Sequence, residues 1–568
     1  MEHNNQVDKS RTLRLWPGIV ILLLIILIRY LIPQFFPVNM LVSFAGGVIG
    51  GILVLLWWLF FSRVSWTDRL IGAGLAVASL LVASRFLDES VARANMGIMF
   101  WLFSIPVTGI AFVLWAALTK SFSLRTRRIT MIMAVLLASG FWVCLRTNGM
   151  NGNGGQYFDW RWSGTYEDRV LSLSKPEAPP VSSSDTSAVL PNWPGFRGKE
   201  RDGIARGTRI KTDWTRTPAE IWRRPVGPGC GSFAVAGNYF YTQEQRGENE
   251  SVSCYELRTG KLAWIHNDKA RFYEPHAGAG PRSTPAISGH LLCTLGATGI
   301  LNLLDARDGK VIWTRNTRTD TGEKTPGWGF CGSPLVYKNL VIVAVSGRLA
   351  AYDISDGRPV WSGPGGGESY CSPQIFTVNG VLQVLLPSPA GILSVDPDNG
   401  KKLWNYEWKI EGRILQPLMV KDGVFLLTGE NQSIRLLSVS ADGGNWNIKQ
   451  LWESPSVKAY FNDFVAWKGF AYGYDGPTMT CTDLSNGKKM WKGSRYRGFQ
   501  VLVPDQDLIV VLTEKGEIAM VSADPARFTE QIKFQALKGR TWNHPAFAGN
   551  ILLVRNDREM AAYNLAEN

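Results

Sequence analysis

The chain has 568 residues, 45% of them apolar, and a formal net charge of +13. That charge is uneven: residues 1–146 hold 13 Lys or Arg against 5 Asp or Glu, a net of +8, and the much longer remainder is only +5. A nucleic-acid-binding domain needs a basic face on its folded part, so this distribution argues against nucleic acid as a partner.

Five apolar runs open the chain: Leu15–Phe36, Met40–Phe61, Leu70–Leu87, Met96–Leu118 and Ile129–Leu145. Each approaches the ~20 residues that carry a helix across a bilayer, the third and fifth being shorter. No small-residue cleavage site follows the first run within signal-peptide length, so it is expected to be retained. Lys9, Arg11 and Arg14 precede the first run, Arg63 and Arg69 follow the second, and Lys120, Arg125, Arg127 and Arg128 follow the fourth. The other short loops carry little net charge, which predicts that these basic ends face the cytoplasm. Five spans with an inside N-terminus then put the C-terminal domain outside the cytoplasm. Arg29 lies near the outer end of its run, where its side chain is expected to snorkel to the headgroups.

Residues 147–191 read as a linker. NGMNGNGGQ is rich in Gly and Asn, and SKPEAPPVSSSDTSAVLP is too rich in Pro and Ser to bury a core. WRWSGTYEDRVL between them reads either as an interfacial helix with Trp160 and Trp162 at headgroup level, or as a helix packed on the next domain.

From there a ten-residue phrase recurs: YELRTGKLAW ending at Trp264, LDARDGKVIW at Trp313, YDISDGRPVW at Trp361, VDPDNGKKLW at Trp404 and TDLSNGKKMW at Trp491. An acidic residue is followed four positions on by Gly and four further by Trp. Asp closes tight turns through its own backbone and Gly supplies positive φ, so each phrase predicts the hairpin between the last two strands of a small antiparallel sheet. The Trp falls on the outermost strand, where it can cover the junction with the next sheet. Weaker copies at Trp222, Trp452 and Phe534 complete a series spaced 39 to 49 residues apart, the period of four-stranded propeller blades. Three strands follow the last hairpin, and the isolated strand IWRRP precedes the first complete unit. Together they make one blade, which predicts an eight-bladed β-propeller over residues 192–568, closed by both ends of the domain, behind a helical transmembrane domain over residues 1–146.

The phrase, the blade count and the segments NWPGFRGKERDG, GPRSTP, YFNDFV and KGRTWNHP resemble the pyrroloquinoline quinone (PQQ) propeller superfamily, and within it a bacterial group of PQQ-like repeat proteins. That superfamily holds quinoprotein dehydrogenases and non-enzymatic scaffolds of outer-membrane protein assembly. Five spans before an eight-bladed propeller are also similar in layout to the membrane-bound quinoprotein glucose dehydrogenase. The resemblance implies a multi-pass protein of the bacterial inner membrane with its propeller in the periplasm, acting as a ligand-binding or protein-interaction module. The alternative it implies is a PQQ-dependent dehydrogenase that oxidises a sugar or alcohol and passes electrons to ubiquinone. The chain lacks the adjacent cysteines of many alcohol-oxidising members, and its propeller domain is shorter than theirs. PQQ is therefore carried only as a possible cofactor, and no catalytic residue is assigned.

In a propeller the loop entering each innermost strand lines one mouth of the central channel. Those loops bring forward Glu274, Arg282, Trp328, Tyr370, Arg413, Tyr460, Asp463, Trp542 and His544. Arginines suit carboxylates and flat rings suit stacking, so the mixture fits an acidic planar ligand. The bland reading is that these side chains hydrogen-bond one another and water. None of the five histidines has ligand-like spacing, so no metal site is expected. Six cysteines, Cys230, Cys254, Cys293, Cys331, Cys371 and Cys481, follow the membrane domain. They allow 15 disulfide pairings or remain as free thiols.

Overall fold

The computed structural model describes residues 13–35, 40–150, 155–173, 175–177, 193–211, 213, 216–409 and 414–566. Lys9, Arg11, most of the Pro- and Ser-rich stretch and Arg413 lie outside these. The chain divides into two compact units, Met1–Ser163 with Pro275–Ala277, and Gly164–Glu274 with Gly278–Asn568.

In the first unit all five apolar runs are helical. Four helices are long and apolar enough to cross a membrane: α2 (Val42–Phe61), α3 (Trp66–Ala83), α4 (Met99–Leu118) and α5 (Leu124–Cys144). A shorter apolar helix, α1 (Trp16–Leu31), precedes them. The third run was expected from Leu70, but α3 starts at Trp66 because the Ser65 hydroxyl caps the Asp68 N–H at 3.2 Å. Asp68 then sits in the first turn, where the helix dipole favours an anion. The basic ends meet at one end of this unit. Arg14 N–H donates to Ser62 O (3.1 Å), Arg69 donates to Val64 O and Leu59 O, and Arg128 pairs with Asp68 at 2.7 Å. Arg29 departs from the snorkelling expectation. Its guanidinium lies 4.1 Å from the Phe44 ring centroid and 5.0 Å from that of Phe103, and it donates to Ser43 Oγ at 3.3 Å. Two ring faces and a hydroxyl give the cation partners within the bundle.

Part of the expected linker is ordered. Leu145–Met150 and Gln156–Trp160 form an antiparallel hairpin in the first unit. Helix α6 (Tyr166–Ser172) belongs to the second unit and is closed by a capping box between Thr165 and Asp168. It packs on the propeller, with Glu167 bidentate to Arg271 (2.7 and 3.2 Å) and Arg558 over the Tyr166 ring. Trp160 and Trp162 precede this helix rather than lying in it.

The second unit holds eight four-stranded antiparallel sheets. Seven run in simple chain order from the centre outward, the first being Ala234–Ala236, Tyr239–Arg246, Asn249–Glu256 and Leu262–Asp268. In the eighth, Ala546–Ala548, Ile551–Arg555 and Glu559–Asn564 are completed by Ala219–Pro225, with Trp222 opposite Ala562. IWRRP is the closing strand, as expected.

The repeated phrase is complementary to itself from one blade to the next. Asp305 Oδ1 accepts the Arg307 N–H (2.9 Å), its carbonyl accepts the Gly309 N–H (2.8 Å), and Gly309 has φ +73°. Trp264 of the preceding blade lies against that turn and donates its indole N–H to Ala306 O at 3.0 Å. The same donation joins Trp313 to Ile354, Trp361 to Pro397, Trp452 to Leu484 and Trp491 to Asp524. Trp222 of the closing strand repeats it with Leu257 (2.8 Å), so the ring shuts by the contact that builds it. Trp404 is the exception and donates to Gln383 of its own blade. The blade after it carries Asp442–Asn445 at the tip of a long hairpin instead of the phrase, so no matching turn is there to receive the indole.

Candidate functional site

The channel-facing start of each innermost strand carries a hydroxyl, amide or carboxylate, and these groups stitch neighbouring blades together. Ser232 N–H donates to Thr284 Oγ1, Thr284 N–H to Ser333 Oγ and Ser333 N–H to Ser372 Oγ, all at 2.9 Å. Gln374 Nε2 donates to Gln416 Oε1 (3.2 Å) and Gln416 N–H to Asp463 Oδ1 (2.9 Å). Gln500 Nε2 reaches Tyr472 O (2.6 Å), Trp542 Nε1 reaches Glu514 Oε1 (2.8 Å), and Asn543 Nδ2 returns to Gly229 O and Gly231 O of the first blade. Every junction of the ring is bridged. Each bond satisfies a buried polar group at the crowded centre, where an unmatched one costs about 1–3 kcal/mol.

A segment missed as part of the site fills the channel. Residues 193–205 pair with the free inner edges of three blades. Trp193 and Val235 exchange N–H···O bonds (3.3 and 2.7 Å), Ile287 N–H donates to Pro194 O (2.8 Å), and Gly203 and Ala205 bracket Leu502 (2.9 and 2.8 Å). An innermost strand has one unpaired edge, so such a plug removes exposed backbone groups. Tight turns project two arginines from it: Arg197 has φ +59° and Arg201 φ +56°. Arg197 Nη1 pairs with Asp463 Oδ2 at 2.8 Å, both buried, while Nη2 donates to Phe464 O. Arg201 donates to Pro334 O (2.8 Å) and Ser333 O (2.9 Å), and burial pulls its pKa down to about 9. The sequence signal for this plug was the Gly-spaced NWPGFRGKERDG ahead of the first blade.

The predicted residues fall into separate groups. His544 packs on the rings of Phe499 (4.0 Å) and Phe196 (5.1 Å), with Nε2 3.7 Å from Asp463 Oδ2. Burial, and then the nearby Arg197 charge, hold its pKa well below the usual imidazole range. His544 is therefore neutral, and Arg197 balances Asp463. Next to it, Phe461 links Tyr460 (5.0 Å) to Trp542 (5.4 Å), and Arg497 and Arg540 lie over those two outer rings. Arg282 belongs to a different cluster around the second to fourth blades. It donates to Gly278 O (2.6 Å), Ala279 O, Trp328 O and Cys230 Sγ, and lies over Phe272. Tyr370 donates to the Glu368 carboxylate, which also takes the Gly327 N–H (2.7 Å) beside Trp328. Burial and Glu368 raise the Tyr370 pKa. Glu274 is buried in a two-residue strand paired with Gly278–Ala279. Trp328 is the exposed large ring of this set. All seven cysteines are free thiols, with Cys254, Cys293, Cys371 and Cys481 buried.

Residues 214–327 and 248–493 match the family model described as outer membrane protein assembly factor BamB. Over 183 residues, 32% of this chain, the sequence is 25% identical to the outer membrane protein assembly factor BamB of Shewanella oneidensis. That match spans 44% of the relative, so the chain covers less than half the length of the curated protein it matches. Among solved structures, the quinohemoprotein alcohol dehydrogenase of Comamonas testosteroni aligns at 14% identity over 71% of this chain and 84% of its own, with a TM-score of 0.50. A quinohemoprotein alcohol dehydrogenase of Pseudomonas putida HK5 aligns at 13% identity over 66% and 80%, also with a TM-score of 0.50. At such identity the likeness is one of fold alone. The repeated phrase, the eight blades and the family-model match within residues 214–493 show an eight-bladed β-propeller built of PQQ-like repeats, in a chain whose N-terminal region consists of apolar helices.

Proposed function

We propose that residues 1–146 anchor this chain in the bacterial inner membrane, that residues 147–191 link them to the propeller, and that residues 192–568 work in the periplasm as a ligand-binding or protein-interaction module. One observation carries this reading. The polar side chains at the channel are engaged in joining blades and holding the plug, which suits a rigid scaffold that presents its rim. Exposed Trp328 leaves aromatic surface on that rim for a partner. The name of the Shewanella relative, an assembly factor, supports a periplasmic protein as that partner. The basic ends gathered around Arg14, Arg69 and Arg128 support a cytoplasmic N-terminus.

A PQQ-dependent dehydrogenase is the alternative, and among the described residues the candidate ligands of the quinone are already engaged. Arg282, the described arginine of the candidate set, is already turned onto three carbonyls and a thiol. Asp463, the carboxylate beside His544, is neutralised by Arg197 and bonded to Gln416 N–H.

A photo-crosslinking amino acid at Trp328 in cells should give discrete protein adducts, while one at Lys401 on the outer hairpin should not. A quinone chromophore after adding PQQ and calcium, with dye-linked oxidation of sugars or alcohols, overturns the module reading. A C-terminal alkaline phosphatase fusion should be active and a C-terminal green fluorescent protein exported by the same route dark. The reverse pair of results overturns the periplasmic assignment.

A further inference from the structure

The turn that ends the hairpin of the first unit holds two large indoles out to solvent. Trp160 is 46% exposed and Trp162 71%, and their rings stack 5.3 Å apart and 10° from parallel. The backbone beneath them is firmly tied. Arg161 N–H donates to Cys144 O (2.8 Å), Ser163 N–H to Trp160 O (3.1 Å) and Ser163 Oγ to Asp159 Oδ1 (2.9 Å). Between the indoles, Arg161 turns inward to Phe86 O (3.2 Å) and Asp88 (3.5 Å). The display of two indoles is thus built into the turn.

The patch continues into the helices. Phe141 of α5 stands edge-on to Trp160 at 6.0 Å, and Phe86, just past α3, is 62% exposed. Exposed Leu81 and Val82 lead along α3 to Phe86, and Met133 and Leu137 lead along α5 to Phe141. Both apolar stripes begin at the end marked by Asp68 and Arg128 and finish at these aromatics. Large amphipathic rings closing two lipid-length stripes have the character of the interfacial zone, where the ring lies among glycerol groups and the indole N–H meets lipid oxygens.

We infer that Trp160 and Trp162, with Phe86 and Phe141, form an anchor seated in the phospholipid headgroup layer on the side opposite the Arg14–Arg128 end. The inference rests on the membrane-spanning reading of the helices. It adds that the chain leaving α5 is held at the membrane surface before it continues toward the propeller.

The test places the full-length protein in phosphatidylethanolamine–phosphatidylglycerol nanodiscs, one chain per disc. It is oxidised with hydroxyl radicals, and modified tryptophans are located by peptide mass spectrometry with Trp328 as the internal reference. Trp162 is about twice as exposed as Trp328 in the protein alone, 71% against 36%, and unprotected it would be oxidised faster. Lipid cover should invert that order, slowing Trp160 and Trp162 to about a tenth of the Trp328 rate, because the interfacial zone excludes the aqueous oxidant. Trp162 oxidised as fast as Trp328 or faster, in discs that do contain the chain, overturns the anchor and is the result expected if a protein covers this patch instead. Failure of the chain to enter discs at all overturns the spanning reading itself.

Discussion

Trp264 leaves no room for a side chain on Gly309: a Cβ there would come within 2.5 Å of the indole ring. One blade's tryptophan and the next blade's glycine are two halves of one contact. Gly357 stands in the same relation to Trp313, and Gly260 to Trp222, so the spacing within the phrase is a packing requirement between blades.

Gly309→Ala should lower propeller stability by about 1–3 kcal/mol, from overpacking against Trp264 and from the strained positive φ. Trp264→Ala should cost more, about 3–5 kcal/mol, through the cavity it leaves. Denaturant unfolding of both variants decides the matter. A Gly309→Ala protein as stable as the parent would mean the turn yields without penalty.

Trp222→Ala tests ring closure. Trp222 stacks on Phe240 at 5.5 Å and 6°, and donates to Leu257 across the last junction. If that junction is equivalent to the others, the loss should match that of Trp264→Ala. Aggregation should follow, because loosening Ala219–Pro225 uncovers the edge of Glu559–Asn564. An unchanged melting temperature would mean that the closing strand carries little of the propeller's stability.

The Arg197–Asp463 pair should be strongly non-additive. Breaking it from either side, as Arg197→Met or Asp463→Asn, leaves an unbalanced buried group and is expected to cost about 3–5 kcal/mol. The double variant should fall well short of the sum, and a double-mutant cycle measures the difference. Strict additivity would show that the plug is not held by this pair.

His544 should make the propeller acid-sensitive. Its folded pKa is depressed, so at pH values between the folded pKa and about 6.5 the unfolded chain binds the extra proton. Its contribution is complete above about pH 6.5 and declines as pH falls toward the folded value. The stability difference between pH 7.5 and pH 5.5 should shrink in His544→Gln, and an equal difference in the two proteins would remove His544 as the cause.

Glu244 should act at lower pH. Its carboxylate is fully buried in the first blade, where burial alone would raise the pKa. Arg246, Ser253, Tyr255 and the Gly227 N–H outweigh that and hold it below the usual range. Stability from this group is present above about pH 4.3 and lost as pH falls through the folded value. Glu244→Gln should destabilise by about 3–5 kcal/mol at neutral pH by stranding Arg246. A loss under about 1 kcal/mol would show that the hydroxyl donors alone sustain the site.

Local chemistry made the fold legible. Positive φ at Gly, an Asp-closed turn and a Trp at fixed spacing are short-range requirements that repeat, so eight blades and the closing strand could be read from residues alone. Apolar length likewise marked the helices, although Ser65 moved the start of α3 by four residues because a cap depends on one hydroxyl rather than on hydropathy. The site was not legible in the same way. Arg197 and Arg201 enter the channel only because residues 193–205 find the open inner edges of blades far apart in sequence, such as Val235 and Leu502. Asp463 was legible as a channel-mouth carboxylate, but its partner Arg197 is delivered to it by the plug. Within a blade, neighbours in sequence are neighbours in space, and periodicity reveals them. At the channel, eight distant loops converge, and tertiary contact alone determines which polar groups are engaged and which remain on the rim.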